Sequence, residues 1–301
     1  MEIWILITIF AALFQSIRTA AQKHINTYLS AMAVTWIRSG CGLPIVLVYF
    51  FLLCYTSKNE LNFHMSALFY IFAGITAFSQ IFATWLMVSL FSQRNFATGI
   101  TYAKSEALQT ALLSFILFSS YFSLLSILAI ILGSIGLICI SISKQQATRT
   151  PFLHGYVDKS ALIGVSSGTL FAISCIFARQ ASLILGPNSN AFYNAALTLV
   201  VVLLIQTIVV GIYLLVKERN VFYKMSKQWK CTVLIGLTSA LGSIGWFTAF
   251  ALQNAAYVKT LGQIELFFAL IISYQIFKER FSFKELLGMG LVVASIVLLL
   301  L

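Results

Sequence analysis

Six charged residues interrupt otherwise apolar stretches of the sequence, and these side chains are the strongest candidates for chemistry. They are two acids and four bases: Glu106, Glu265, Arg18, Arg38, Lys104 and Lys259. A charge at the centre of a membrane-spanning helix costs at least about 2.5–3.5 kcal/mol, so each should face protein or a watery cavity. A carboxylate there can bind a proton or a substrate in one conformation and release it in another. It can equally serve as a fixed salt-bridge or hydrogen-bond partner, and the sequence leaves both roles open.

Two polar stripes accompany these charges at helical spacing. Their members are Ala11, Gln15, Arg18 and Gln22 in one stripe, and Tyr102, Glu106, Thr110 and Ser114 in the other. Residues three or four positions apart share one face of a helix. Both stripes are therefore predicted to line the interior of the protein.

The bases have alternative roles at this stage. Arg38 and Lys104 either bind an anionic group or neutralise the two glutamates. Arg18 and Lys259 lie nearer the ends of their apolar runs, from which long basic side chains can extend to the membrane surface. The candidate site also includes polar and aromatic residues of the same runs: Gln15, Tyr102, Trp85, Trp246 and Gln263. The two tryptophans could stack on an aromatic or cationic solute, or simply pack against protein and lipid.

The composition places these residues in a membrane protein. Hydrophobic residues make up 60% of the 301 positions and charged residues 9%, against roughly 45–50% and about 25% in soluble domains. The mean hydropathy is +0.96. The apolar residues run in blocks of about twenty, the length that a helix needs to cross a bilayer. The net charge of +11 reflects Lys and Arg in the loops, which is typical of membrane topology rather than of nucleic-acid binding.

Apolar runs bounded by polar segments predict an all-α integral membrane protein with ten transmembrane helices. The predicted spans cover residues 2–22, 31–55, 66–91, 95–118, 122–143, 160–181, 190–216, 231–251, 255–277 and 281–301.

An internal repeat divides the chain. A shift of 159 residues aligns Asn95–Leu132 with Asn254–Leu291, with shared polar residues at Asn95/Asn254, Thr101/Thr260 and Glu106/Glu265. We therefore predict two similar five-helix repeats, residues 1–143 and 160–301, joined by a loop at 144–159. With five spans each, the repeats have opposite orientations in the membrane, which is the inverted-repeat layout of alternating access.

The loop charges predict the orientation. The loops after the odd-numbered spans, together with the first residues of the tenth span, hold thirteen basic residues: Lys23, Arg94, Lys144, Arg149, Lys159, Lys217, Arg219, Lys224, Lys227, Lys230, Lys278, Arg280 and Lys284. The opposite side holds Lys58 and Arg179. The positive-inside rule then places the odd-numbered loops in the cytoplasm and both termini outside.

Motifs of enzymes and metal sites are missing from the sequence. It contains no HExxH, no phosphate-binding loop with GK[ST] and no GxSxG, and its three histidines fall in predicted loops. The five cysteines show no paired CxxC spacing, which disfavours a zinc site. We therefore predict no enzyme activity and no cofactor.

The chain resembles the EamA-type transporters of the drug/metabolite transporter superfamily. The resemblance rests on the duplicated five-span pattern and on Glu265-Leu266-Phe267-Phe268-Ala269, followed by Phe277-Lys278-Glu279-Arg280-Phe281-Ser282. The family commonly has a Glu-Pro step in the ninth span, where Leu266 replaces the proline here. Family members usually keep both termini in the cytoplasm, which conflicts with the charge count.

The resemblance implies a secondary transporter of the bacterial inner membrane. Its partners would be a small-molecule substrate, membrane lipids and protons, with no nucleic acid, and the oligomeric state is undefined. The intramembrane bases favour a zwitterionic or anionic metabolite, such as an amino acid, moved by proton coupling or exchange. Efflux of multiple cationic drugs is an alternative, and an intramembrane enzyme or lipid-binding scaffold is an alternative of another class.

Overall fold

The computed structural model describes residues 2–57, 65–93, 106–119, 123–146, 159–186, 190–268, 271 and 283–300. Every regular element in these ranges is helical. The α-helices are α1 Ile3–Ile25, α2 Ala31–Gly40, α3 Leu43–Ser57, α4 Ala67–Gln93, α5 Glu106–Phe118, α6 Leu124–Gln146, α7 Lys159–Ile184, α8 Ala191–Lys217, α9 Val221–Lys227, α10 Trp229–Leu252, α11 Ala255–Leu261 and α12 Phe283–Leu300. A single 3₁₀ turn, Gly262–Ile264, follows α11.

Six helical stretches in the described part of the chain are long and apolar enough to cross a membrane. They are Ile3–Ile25, Ala31–Thr56, Ala67–Leu90, Leu162–Ile184, Ala191–Lys217 and Trp229–Leu252. Shorter apolar helices occur at Glu106–Phe118, Leu124–Gly136 and Leu287–Leu298. The chain is therefore a multi-pass integral membrane protein. Parts of predicted spans four, five, nine and ten lie outside the described residues.

The helices expose large apolar side chains and bury small and polar ones. On α3, Val48, Phe51 and Leu52 are exposed. The interior instead contains polar residues such as Thr8 and Thr198. This distribution suits a lipid solvent, because lipid does not penalise exposed leucine, whereas polar groups need partners inside the bundle.

The second predicted span is broken rather than continuous. α2 ends at Gly40, Cys41 and Gly42 form a turn, and α3 begins at Leu43. Pro44 has no N–H to donate to the preceding turn, so the helical hydrogen bonding is interrupted there. The break places Arg38 in the last turn of α2.

The ninth predicted span is also interrupted. Asn254 caps α11 by accepting a hydrogen bond from the Ala256 N–H at 2.9 Å, and the 3₁₀ turn then precedes a helical stretch that begins at Glu265. A Cβ on Gly262 would overlap the Trp246 ring, so only glycine permits this approach. A 3₁₀ segment within a helix often marks a hinge, and here it lies directly before an intramembrane glutamate.

Helix packing follows a regular scheme. The most extensive contacts join α1 to α10, α4 to α7 and α6 to α12. In addition, α2 and α3 pack against α8, and α5 packs against α11. Each of these contacts joins a helix of residues 1–143, the N-terminal half, to a helix of residues 160–301, the C-terminal half.

Candidate functional site

A buried ion pair lies at the centre of the candidate site. The Lys259 ammonium donates to Glu106 Oε1 at 3.3 Å, with side-chain exposures of 8% and 10%. Glu106 begins α5 and Lys259 lies on α11, so the pair joins the two halves. Because the pair is buried, removal of either partner leaves the other as an uncompensated charge and lowers the stability of the fold.

Two aromatic rings cover the lysine. The Lys259 ammonium lies 4.7 Å from the centre of the Trp246 ring and 5.6 Å from that of Phe250. The two rings, both on α10, stack with centroids 5.9 Å apart. The negative faces of aromatic rings attract a cation, and the attraction strengthens where water is excluded.

Gln15 on α1 connects the other charged side chains. Its amide nitrogen donates to Glu265 Oε2 at 3.2 Å. Its amide oxygen accepts from Arg18 at 2.7 Å and from the Trp246 indole N–H at 2.9 Å. Because Arg18 and Trp246 can only donate, the network itself determines the orientation of the Gln15 amide.

The charges of this group balance. Arg18 interacts electrostatically with both Glu265 and Glu106, and Lys259 interacts with Glu265 as well as Glu106. We call Gln15, Arg18, Glu106, Trp246, Lys259 and Glu265 the central cluster. It holds two acids and two bases in a buried environment, where a change of partner has a large electrostatic effect.

Thr110 and Cys175 support the central cluster. The Thr110 hydroxyl donates to the Glu106 carbonyl at 2.6 Å and lies 3.6 Å from Cys175 Sγ. Thr110 belongs to the polar stripe that the sequence indicated, whereas Cys175 had no sequence signal beyond its small size. The described residues contain no group of three His, Cys, Asp or Glu side chains that could hold a metal ion.

A second polar group surrounds Arg38. Its Nη2 donates to Gln206 at 2.6 Å and to Gln80 at 3.2 Å, and the Gln206 amide nitrogen donates to Gln80 at 3.0 Å. Sequence reasoning missed both glutamines, although uncharged amides within apolar runs were a usable signal. We call Arg38, Gln80 and Gln206 the arginine cluster.

The comparisons with known proteins identify the C-terminal half. Residues 158–301 match the model of the EamA-like transporter family, which is part of the drug/metabolite transporter superfamily. This half is therefore similar to the EamA-like transporter family. The match confirms the resemblance that the sequence motifs indicated, and it makes a transporter a better description of the chain than an enzyme.

The fold of the chain also matches solved structures. One protein crystal structure aligns with a TM-score of 0.74 at 12% identity, covering 98% of this chain and 94% of the other. In total, 28 chains of solved structures match. At such low identity the likeness concerns the fold. No curated protein matches the sequence significantly.

Several of the predicted site residues lie together, and the structure distinguishes between alternatives that the sequence left open. Arg18 and Lys259 do not extend to the membrane surface, because both are buried and bonded within the central cluster. The partner of Glu106 is Lys259 rather than Arg38. The physical reason is that α11 from the opposite half packs against α5.

The remaining predicted residues lie elsewhere. Trp85 is 38% exposed on an outward face of α4, which fits the lipid contact that the sequence offered as an alternative to solute stacking. Gln263 is buried against Gly133 of α6, and neither of its amide atoms has a partner in the described part of the chain. Tyr102 and Lys104 lie outside the described residues.

Proposed function

We propose that this chain is a secondary transporter that moves a small zwitterionic or anionic metabolite, such as an amino acid, across the membrane by alternating access. In this proposal, two inverted five-helix repeats, residues 1–143 and 160–301, rock about the central cluster. Residues 144–159 link the two repeats, which together contain ten membrane spans. Exchange or proton coupling drives the movement, in a bacterial inner membrane.

The observation that carries this proposal is that polar contacts of the central cluster cross between the halves. Glu106 of the N-terminal half pairs with Lys259 of the C-terminal half, and Gln15 of the N-terminal half bonds to Glu265 and Trp246 of the C-terminal half. A cluster that only stabilised one half would have its bonds within that half. Contacts across the interface instead respond to any relative movement of the halves.

The helix packing supports two related repeats. The first predicted span of the N-terminal half, α1, packs against the third span of the C-terminal half, α10. Likewise, the third span of the N-terminal half, α4, packs against the first span of the C-terminal half, α7. The second, fourth and fifth spans pack against their own counterparts. Such reciprocal pairing is what a twofold axis between two similar units produces. The family match begins at residue 158, close to the proposed start of the second repeat.

Proton coupling follows from the buried pair. When the halves separate, Glu106 loses Lys259 and becomes a buried charge without a partner, at a cost of about 3–5 kcal/mol. A proton or a substrate ammonium group removes that cost. Glu265, held by the neutral amide of Gln15, can respond in the same way. The cluster therefore links the conformation of the halves to the binding of a cation.

Transport by purified protein in vesicles tests the proposal. Labelled amino acids and organic acids would be screened by counterflow, with and without a pH gradient. We expect Glu106→Gln and Glu265→Gln each to lower transport at least tenfold and to reduce its dependence on the gradient.

The matched control is Glu218→Gln, which removes a carboxylate bonded to Ser30 outside the central cluster. This variant should transport like the wild type. If both central substitutions leave flux and its pH dependence unchanged, the carboxylate role is wrong.

A further inference from the structure

Arg38 is a buried cation whose partners in the described part of the chain are neutral. It is 5% exposed, and its Nη2 is bonded to the amide oxygens of Gln80 and Gln206. Its Nε is buried and has no partner among the described residues. Among the described residues, no carboxylate forms an ion pair with it. A guanidinium keeps its proton in proteins, so Arg38 cannot escape this environment by becoming neutral.

Arg18 adds a second positive charge close by. It lies within electrostatic range of Arg38, is 4% exposed, and also has a buried Nε without a partner among the described residues. Gln22, one turn further along α1, is fully buried, and both of its amide atoms lack partners in the same part of the chain. Arg18 and Gln22 share one face of α1, so two side chains of this face and Arg38 of α2 all have buried donors without a described acceptor.

The buried bases of this region outnumber the buried acids. The central cluster holds two acids against Arg18 and Lys259, and Arg38 adds a third base to the same polar interior. One positive charge therefore remains uncompensated among these buried groups. An unpaired charge and orphan donors in a low-dielectric interior are costly. An oxyanion would satisfy both, since arginine binds carboxylate and phosphate through parallel charge-assisted hydrogen bonds.

We propose that Arg38 and Arg18, together with Gln22, form the binding site for an oxyanion of the solute, a carboxylate, phosphate or sulfonate group. This assignment rests on the proposed function for the statement that the solute is transported. The arginine cluster orients Arg38, and Arg18 connects the anion to the central cluster through Gln15. A zwitterionic solute would then place its anionic end here and its cationic end towards Glu106 and Glu265.

Thermal unfolding of the purified protein in neutral detergent tests the site. The probes are acetate, inorganic phosphate and methanesulfonate, titrated at constant ionic strength against chloride. We expect at least one probe to raise the unfolding temperature of the wild type in a saturable manner. Arg38→Gln should weaken the apparent affinity at least tenfold, and Arg38→Lys, which keeps the charge but loses the planar fork, should weaken it less.

The control is Arg179→Gln, which removes a half-buried arginine that donates to the carbonyls of Phe250 and Gln253. This variant should keep the anion response. Saturable stabilisation that is the same in wild type and Arg38→Gln would overturn the site, as would the lack of response to all three probes.

Gln206→Glu provides a variant that does not depend on removing Arg38. It places a carboxylate where the amide oxygen lies, 2.6 Å from Arg38 Nη2. We expect this internal anion to raise the unfolding temperature without ligand and to abolish the response to the probes. A wild-type response in this variant would contradict the proposal.

Two further comparisons are informative. One distinguishes a lipid headgroup from a solute as the source of the anion, and the other distinguishes failure of this site from failure of the proposed function. Stabilisation by phosphatidylglycerol but by none of the probes would assign the anion to a lipid headgroup and overturn a solute site. Flux that depends on Glu106 and Glu265 but shows no Arg38-dependent anion binding would overturn this site alone. Arg38-dependent anion binding combined with normal transport in both glutamate variants would support this site and contradict only the proposed carboxylate coupling.

Discussion

At the scale of single residues, Lys259 combines an ion pair with contacts to two aromatic rings. It pairs with Glu106 and lies beneath the rings of Trp246 and Phe250. Its ammonium is therefore stabilised by an anion and by two aromatic faces in a buried location. Removal of the charge and alteration of the Trp246 ring should each lower the stability of the protein, by different amounts.

Lys259→Met should lower the free energy of unfolding by about 3–5 kcal/mol, because Glu106 is left buried without a counter-charge. The double variant Lys259→Met with Glu106→Gln should regain most of that loss. Thermal unfolding in detergent measures both. Lys224→Met, at an exposed position of α9, is the control and should change stability by no more than about 0.5 kcal/mol. Equal losses in the single and double variants would contradict the ion-pair account.

Trp246→Phe should cost about 1–2 kcal/mol of stability, because it removes the indole donor to Gln15 and weakens the ring's attraction for Lys259. Trp85→Phe, the same substitution on an outward face, should be near neutral. Unfolding temperatures of the two variants provide the comparison. A larger loss of stability in Trp85→Phe than in Trp246→Phe would contradict the stabilising role of the Trp246 contacts.

At the scale of helices, the two interrupted spans position the key charges. The break at Cys41 and Gly42 ends α2 just after Arg38, and the 3₁₀ turn ends just before Glu265. Discontinuous helices near the midplane are a common means of building solute sites in transporters. The break in the second span also allows close contact with α10, since a Cβ on Gly236 would lie 2.7 Å from Cys41 Cβ.

Gly236→Ala should therefore destabilise the protein by about 1–3 kcal/mol, because an added methyl group forces α10 away from the turn at Cys41. Gly74→Ala is the matched control. A Cβ at Gly74 meets no heavy atom within 4 Å in the described structure, and alanine favours helix more than glycine does. We expect it to be neutral or to stabilise by up to about 1 kcal/mol. Similar unfolding temperatures for the two variants would argue against a tight crossing.

At the scale of the whole molecule, the loop charges predict the orientation in the membrane. In the predicted ten-span topology, thirteen basic residues lie on one side against two on the other, and the positive-inside rule then predicts that both termini lie outside the cytoplasm. An alkaline phosphatase fused after residue 301 should then be active in a bacterial host. A fluorescent protein at the same position should be dark. The reverse pattern would show that the family precedent, with cytoplasmic termini, applies.

The sequence by itself determined that this chain resides in lipid, and it selected charged residues that the structure buries. Hydropathy and the cost of an intramembrane charge are local properties, so Glu106, Glu265 and Gln15 could be selected without knowing any contact. The similarity of the C-terminal half to the EamA-like transporter family was also visible in the sequence, because it depends on motifs and on the order of the spans.

Only the tertiary structure decided the partners of these residues. Glu106 and Lys259 are 153 positions apart, and Arg38 and Gln206 are 168 apart, so no spacing rule within one helix could pair them. The helix breaks before Leu43 and Glu265 could not be predicted from hydropathy either, because a hydropathy window averages over a whole span. Which charges are satisfied depends on how helices of opposite halves pack, and packing is a property of the assembled bundle.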